Sequence, residues 1–261
     1  MMKMRKTMIE SLQNEKIKYL NRLITDNRFR KKNGVFVVEG KQENSRALQF
    51  GFEPLEFFIA ETIYDGEEIS GKIHSISEKI YEKIAYRGTS EGIIGIYKIK
   101  EKTLKDFISD ETSSIIILES VEKPGNLGAI MRSCEAFGID AIIVTDAKVD
   151  FYNPNVIRSS VGCIFGMNFI QTSNEELYSY LKENDYQIFT TMMDSHSQPI
   201  YQRNFNSKSA VLFGTEHSGL SEFWVGKGEN MLIPMSGTID SLNLSNAVAI
   251  TCYEIMKQKT K

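Results

Sequence analysis

A chain of 261 residues, with 31 Lys and Arg against 34 Asp and Glu, has room for one large domain or two small ones. Its 41% hydrophobic and 25% charged content is that of an ordinary globular protein and excludes the disordered, collagen-like and disulfide-scaffold classes. No apolar run approaches the roughly 20 residues of a membrane-spanning helix, and no signal-peptide core follows the basic start Met1–Lys6. Cys134, Cys163 and Cys252 are odd in number, widely spaced and outside any CxxC pattern, so a cytoplasmic protein without a zinc site is expected. The net charge of −3 averages two unlike regions. Residues 1–46 carry twelve basic and five acidic side chains, a balance of +7, which leaves −10 for the rest. Charge alone allows either a polyanion-binding end or a solvated basic helix.

In chain order, Ile9–Arg30 has the mixed apolar and basic pattern of an amphipathic helix, with Gly34 as its stop. Strands follow at 35–39, 55–60, 72–76 and 92–99, with helices at 41–50 and 77–85 between them. This alternation reads as a small α/β domain, and the charged stretch from Lys100 is the expected boundary, dividing the chain into 1–105 and 106–261. The second part alternates again. Strands are predicted at 114–118, 141–145, 187–192, 210–213 and 231–234, and helices at 126–137, 154–160, 174–184 and 243–257. The pattern is that of a mainly parallel sheet, whose ligands bind beyond the carboxyl ends of the strands.

Three loops at strand ends could carry chemistry. In Glu119–Arg132, Pro124 and Gly125 form a turn, Asn126 suits a helix cap, and Arg132 follows within two turns. In Leu212–Leu220, Gly214 and Gly219 bracket Glu216 and His217. Gly214 there would let a ligand press against main chain, and the two adjacent titratable side chains are expected to diverge. In Ile233–Ala247, a Ser, Gly, Thr and Asn-rich loop leads to Ser241 and Asn243 at a helix start. Each loop alone also reads as a capped helix or a polar connection. P-loop, GxGxxG, HExxH and GxSxG motifs are absent, and three scattered His make a metal site improbable.

Taken in order, NLGAIMR (126–132), LFGTEHSGLS (212–221) and IPMSGTIDSLNLSNAVAI (233–250) resemble the three signature motifs of the SpoU-like (TrmH) family. These are S-adenosylmethionine-dependent RNA ribose 2′-O-methyltransferases of the SPOUT class. FVVEGKQENSRAL (36–48) and YEKIAYRGTSEGIIGI (81–96) resemble the L30e-like substrate-binding domain that many members carry. The resemblance implies an α/β fold in which the carboxyl-terminal part is threaded into a deep trefoil knot, and a homodimer. It implies S-adenosylmethionine as cofactor, held by Gly214, Ile233 and Leu242 with Leu212, Phe213, Met235 and Asn243 beside them. It places Asn126, Arg132, Glu216, Ser241 and Asn243 in the active site and Arg158 on RNA.

A guanidinium stays protonated, so Arg132 is expected to stabilise a developing alkoxide or grip a phosphate rather than act as a base. Arg22, Arg28, Arg30, Lys31 and Lys32 are the candidate phosphate contacts of the basic end. The expected substrate is RNA, with 23S ribosomal RNA favoured because L30e-like modules commonly read ribosomal elements. The alternatives are the same reaction on transfer RNA, or a non-catalytic RNA-binding or ribosome-assembly protein.

Overall fold

The computed structural model describes residues 8–85 and 91–260. The basic start Met1–Lys6, and residues 86–90 within the 81–96 likeness, lie outside the described residues. The chain forms two compact units. One is the described part of Met1–Lys100 together with Asp150–Gly166, and the other is Glu101–Val149 together with the described part of Met167–Lys261. The expected halves 1–105 and 106–261 thus differ from these units mainly by the segment 150–166.

The N-terminal unit opens with α1 (Glu15–Thr25) and α2 (Asn27–Asn33), where one continuous helix was expected. Asp26 is the reason: it ends α1 in an extended conformation, and its carboxylate accepts from Phe29 N at 3.0 Å to cap α2. Then come β1 (Val35–Glu39), α3 (Lys41–Gln49), β2 (Pro54–Ile59), β3 (Ile73–Ser75), α4 (Glu78–Ile84) and β4 (Ile93–Lys98). The sheet order is β1-β4-β2-β3, with β4 antiparallel to both neighbours and β3 parallel to β2. Ile17, Leu20 and Leu23 of α1 pack with Val35, Val37, Phe58, Ile94 and Ile96 in one core.

The C-terminal unit begins with β5 (Ser114–Glu119), α5 (Pro124–Ala136) and β6 (Ala141–Thr145). After α6 (Pro154–Ser159) and α7 (Cys163–Gly166), which belong to the N-terminal unit, it resumes with β7 (Asn168–Thr172), α8 (Asn174–Glu183) and β8 (Gln187–Thr190). The two-residue β9 (Gln198–Pro199), β10 (Ser209–Phe213), β11 (Glu229–Leu232) and α9 (Leu244–Lys259) complete it. All pairings in the order β7-β6-β5-β10-β8-β11-β9 are parallel. β5, β6 and β10 are buried along their whole length, as central parallel strands with both faces covered must be. The Cys134 and Cys252 thiols meet at 3.8 Å where α5 packs on α9. Both are free, and burial pushes the Cys134 thiol up.

Within the N-terminal unit, residues 150–166 lie against β1. Phe36 stacks on Tyr152 with ring centroids 4.3 Å apart, and Phe52 meets Phe165 edge-on at 5.0 Å. Arg30 is tied to the same segment. Its Nη2 and Nε donate to Asp150 Oδ2 at 2.5 and 3.0 Å, and its Nη1 donates to the Leu23 and Ile24 carbonyls at 2.6 and 3.1 Å. Only 2% of the Arg30 side chain and 8% of that of Asp150 is exposed. Arg30 is therefore a buried cross-tie and not the phosphate contact expected from the sequence. Its position in a basic run concealed this, because a run of charges cannot tell which member turns inward.

Candidate active site

The site lies at the carboxyl ends of β8, β10 and β11, where a parallel sheet exposes its loops. Pro124 starts α5 at the first helical position, where its fixed φ and missing N–H cost nothing. Asn126 is consequently the third residue of the helix and not its cap, and its side chain is free to reach outward. Six residues at about 100° each set Arg132 roughly 120° from Asn126 around the axis, not on a nearby face. Arg132 is exposed, and among the described residues it has no hydrogen-bond or ion-pair partner.

The loop after β10 is folded by its own backbone. Thr215 N donates to Gly219 O at 3.0 Å, Gly219 N returns a bond to Thr215 O at 3.1 Å, and Gly219 has φ +67°. A Cβ on Gly214 would lie 2.0 Å from the Gly219 carbonyl atoms, so Gly214 is required by this close approach of main chain to main chain. Gly214 also lines the cavity beside this loop. Glu119, buried at the end of β5, anchors the loop's exit. Its carboxylate accepts from Ser221 N and Ser221 Oγ, both at 2.7 Å, and from Asn174 Nδ2 at 2.6 Å.

Glu216 stands on this loop and gathers the other two. Asn126 Nδ2 donates to Glu216 Oε1 at 2.7 Å and Asn243 Nδ2 to the same oxygen at 2.9 Å, while the Lys123 ammonium pairs with Oε2. Asn243 can be held there because it caps α9, its Oδ1 accepting from Ser245 N at 3.0 Å and Ser245 Oγ at 2.7 Å. Hydrogen bonds from Lys123 and then Asn126 hold the Glu216 carboxyl below the usual carboxylate range. Glu216 is thus ionised at neutral pH, an orienting acceptor for two amides and a poor proton donor.

Beside this cluster opens a cavity of about 310 Å³. Phe213, Gly214, Ile233, Met235, Ser241 and Leu242 line it, together with Glu216. Leu212 does not. Successive side chains of a strand point to opposite faces, and Leu212 turns into the core with Ile115, Ile143 and Trp224. Asn243 stands in the carboxylate cluster rather than in the lining. Sequence reasoning missed Lys123 and Glu119, and the lining residues Thr191, Met193 and Asp240, while His217, expected to diverge from Glu216, lines the same cavity. Lys123 lay inside the quoted first loop, but its partner is 93 positions away.

The basic candidates belong to the N-terminal unit. Arg22 lies over the Phe29 ring at 4.1 Å and pairs with Asp26 at 3.6 Å, and Arg158 faces Glu39 at 3.9 Å. Arg28, Lys31 and Lys32 are exposed on α2. Among the described residues, no group of three or more His, Cys, Asp and Glu could hold a metal ion, and no helix is long and apolar enough to cross a membrane.

A parallel α/β sheet thus presents an amide-carboxylate cluster beside a cavity with apolar and polar walls at the carboxyl ends of its strands. The chain belongs to the SpoU rRNA methylase family, whose model matches residues 113–253, and an MRM3-like substrate binding domain matches 14–95. It is similar to the 23S rRNA (guanosine(2553)-2′-O)-methyltransferase RlmP of Bacillus subtilis, with 26% identity over 95% of this chain and 98% of that protein. A crystal structure of an RNA 2′-O ribose methyltransferase superposes with a TM-score of 0.86 and 31% identity, covering 98% of this chain and all of the other. The tRNA (guanosine(18)-2′-O)-methyltransferase of Thermus thermophilus is 28% identical over 56% of this chain and 75% of its own length.

Proposed function

We propose that the protein transfers a methyl group from S-adenosylmethionine to a ribose 2′-hydroxyl of 23S ribosomal RNA. The observation that carries the reading is the meeting of Asn126, Glu216 and Asn243, from three distant loops, at the rim of one cavity. The cavity suits the cofactor. Its volume is within the range of small-ligand sites, and Phe213, Ile233 and Leu242 offer the apolar walls an adenine needs. Gly214, Met235 and Ser241 complete the binding set, with Leu212 supporting it from the core side and Asn243 from the cluster.

When bound, S-adenosylmethionine supplies an electrophilic methyl on a sulfonium. The chain's own residues must present the hydroxyl in line and accommodate the charge it develops. Glu216 fixes the Asn126 and Asn243 amides, so the rim is preorganised before RNA arrives. Ser241 adds a hydroxyl to the cavity wall and can orient the ribose. Arg132, a guanidinium without a hydrogen-bond or ion-pair partner among the described residues, is available for the developing alkoxide or the adjoining phosphate.

The N-terminal unit is the substrate-reading module, L30e-like in kind, and favours ribosomal over transfer RNA. RlmP aligns across both units, whereas the tRNA enzyme aligns with little more than half of the chain. Arg22, Arg28, Lys31, Lys32 and Arg158 are its candidate RNA contacts. Replacing Lys31 and Lys32 together with Ala should reduce the log–log salt slope of RNA binding by about two, measured by filter binding. An unchanged slope assigns both to a solvated surface. The reading also includes a deep trefoil knot, a homodimer and a cytoplasmic location. Support for the dimer is the exposed apolar pair Ile250 and Tyr253 on α9, with the half-buried Phe137 meeting Tyr253 edge-on at 5.9 Å. Mapping 2′-O-methyl groups in total RNA from cells lacking the protein tests the function. One missing methyl in 23S RNA is expected, and loss from transfer RNA alone would overturn the target.

A further inference from the structure

The charge inside the cavity is one-sided. Among the described residues its lining includes two carboxylates, Glu216 and Asp240, and neither Lys nor Arg. The two carboxylates are not equivalent. Glu216 is neutralised by the Lys123 ammonium and its other oxygen is occupied by two amides. Asp240 has no hydrogen-bond or ion-pair partner among the described residues, and it is exposed within the loop that follows β11. The cavity therefore carries one uncompensated negative charge, contributed by Asp240.

We infer that Asp240 is a binding residue that recognises the positive charge of the methyl donor. This rests on the cofactor reading above. S-adenosylmethionine carries a sulfonium and an ammonium against one carboxylate, and so has a net positive charge. An unpaired carboxylate in a site without Lys or Arg attracts such a ligand, whereas to a neutral nucleoside it offers only a hydrogen-bond acceptor. The apolar walls give the adenine its affinity, and Asp240 supplies the preference for the charged molecule.

Calorimetry on the full chain separates the two contributions, using S-adenosylmethionine and 5′-methylthioadenosine. The latter keeps the nucleoside and the sulfur but has no charge. Asp240→Asn preserves the shape of an exposed side chain, so the fold is undisturbed, and a thermal melt checks this. The variant is expected to bind S-adenosylmethionine about two- to fivefold more weakly, as loss of an exposed ion pair implies, with 5′-methylthioadenosine binding unchanged. Raising the salt concentration should weaken the wild type more than the variant. Unchanged S-adenosylmethionine affinity in D240N, or an equal loss for both ligands, overturns the inference. If the wild type binds neither ligand, the cofactor reading itself fails, and the inference falls with it.

Discussion

Arg132→Ala is expected to lower methyl transfer to RNA by about 10²–10³-fold, the loss typical of removing one preorganised stabiliser of developing charge. The same variant should melt at the wild-type temperature. Its side chain is exposed and has no partner among the described residues, so its removal breaks no internal contact. Affinity for S-adenosylmethionine should also be unchanged, since Arg132 is absent from the cavity lining. Labelled cofactor on RNA, a thermal melt and calorimetry give the three readings. Full activity would remove Arg132 from the mechanism, and a large fall in melting temperature would make it structural. Arg132→Lys is informative too. It keeps the charge but not the planar fork, and partial activity would indicate that charge matters more than bidentate geometry.

Arg30→Ala is expected to destabilise the protein by about 3–5 kcal/mol, the usual consequence of stranding one member of a buried ion pair. Asp150 would remain almost enclosed with its countercharge gone, and the Leu23 and Ile24 carbonyls would lose their donor. For a chain of this size the melting temperature should fall by roughly 10 °C. Arg30→Met with Asp150→Leu should recover much of that loss, because removing both charges leaves neither one stranded. If Arg30→Ala instead melts normally and binds RNA weakly, Arg30 returns to the RNA contacts.

The difference between these two arginines indicates what the sequence could convey. The central strands were legible because Ile115–Leu118, Ala141–Val144 and Ala210–Phe213 are unbroken apolar runs, as burial on both faces demands. β7 was not. It pairs on one side only, and Asn168 and Gln171 interrupt its apolar pattern. The break between α1 and α2 was in principle readable, since Asp26 is a capping residue, but the apolar period across it was the louder signal.

In the site, motif likeness located Gly214, Glu216, Ile233, Ser241 and Leu242, and all five line the cavity. The supports of that geometry were invisible for a physical reason. Lys123 and Glu119 act through Glu216 and Ser221, 93 and 102 positions away, and no local pattern encodes such a pairing. Leu212 was misplaced for a simpler reason. Strand alternation alone would have separated it from Phe213.

The placement of residues 150–166 bears on the order in which the protein can be made. A nascent chain that has emerged only to Lys100 holds the strands of the first sheet, but neither Asp150, the ion-pair partner of Arg30, nor Tyr152, which stacks on Phe36. Those arrive some fifty residues later, after β5, α5 and β6 of the second unit have already been synthesised. Domains usually fold as units, the N-terminal one first during synthesis. Here the first unit must wait for part of the second, and a ribosome that stalls between Glu101 and Val149 would leave a bare guanidinium where the finished protein has a sealed one.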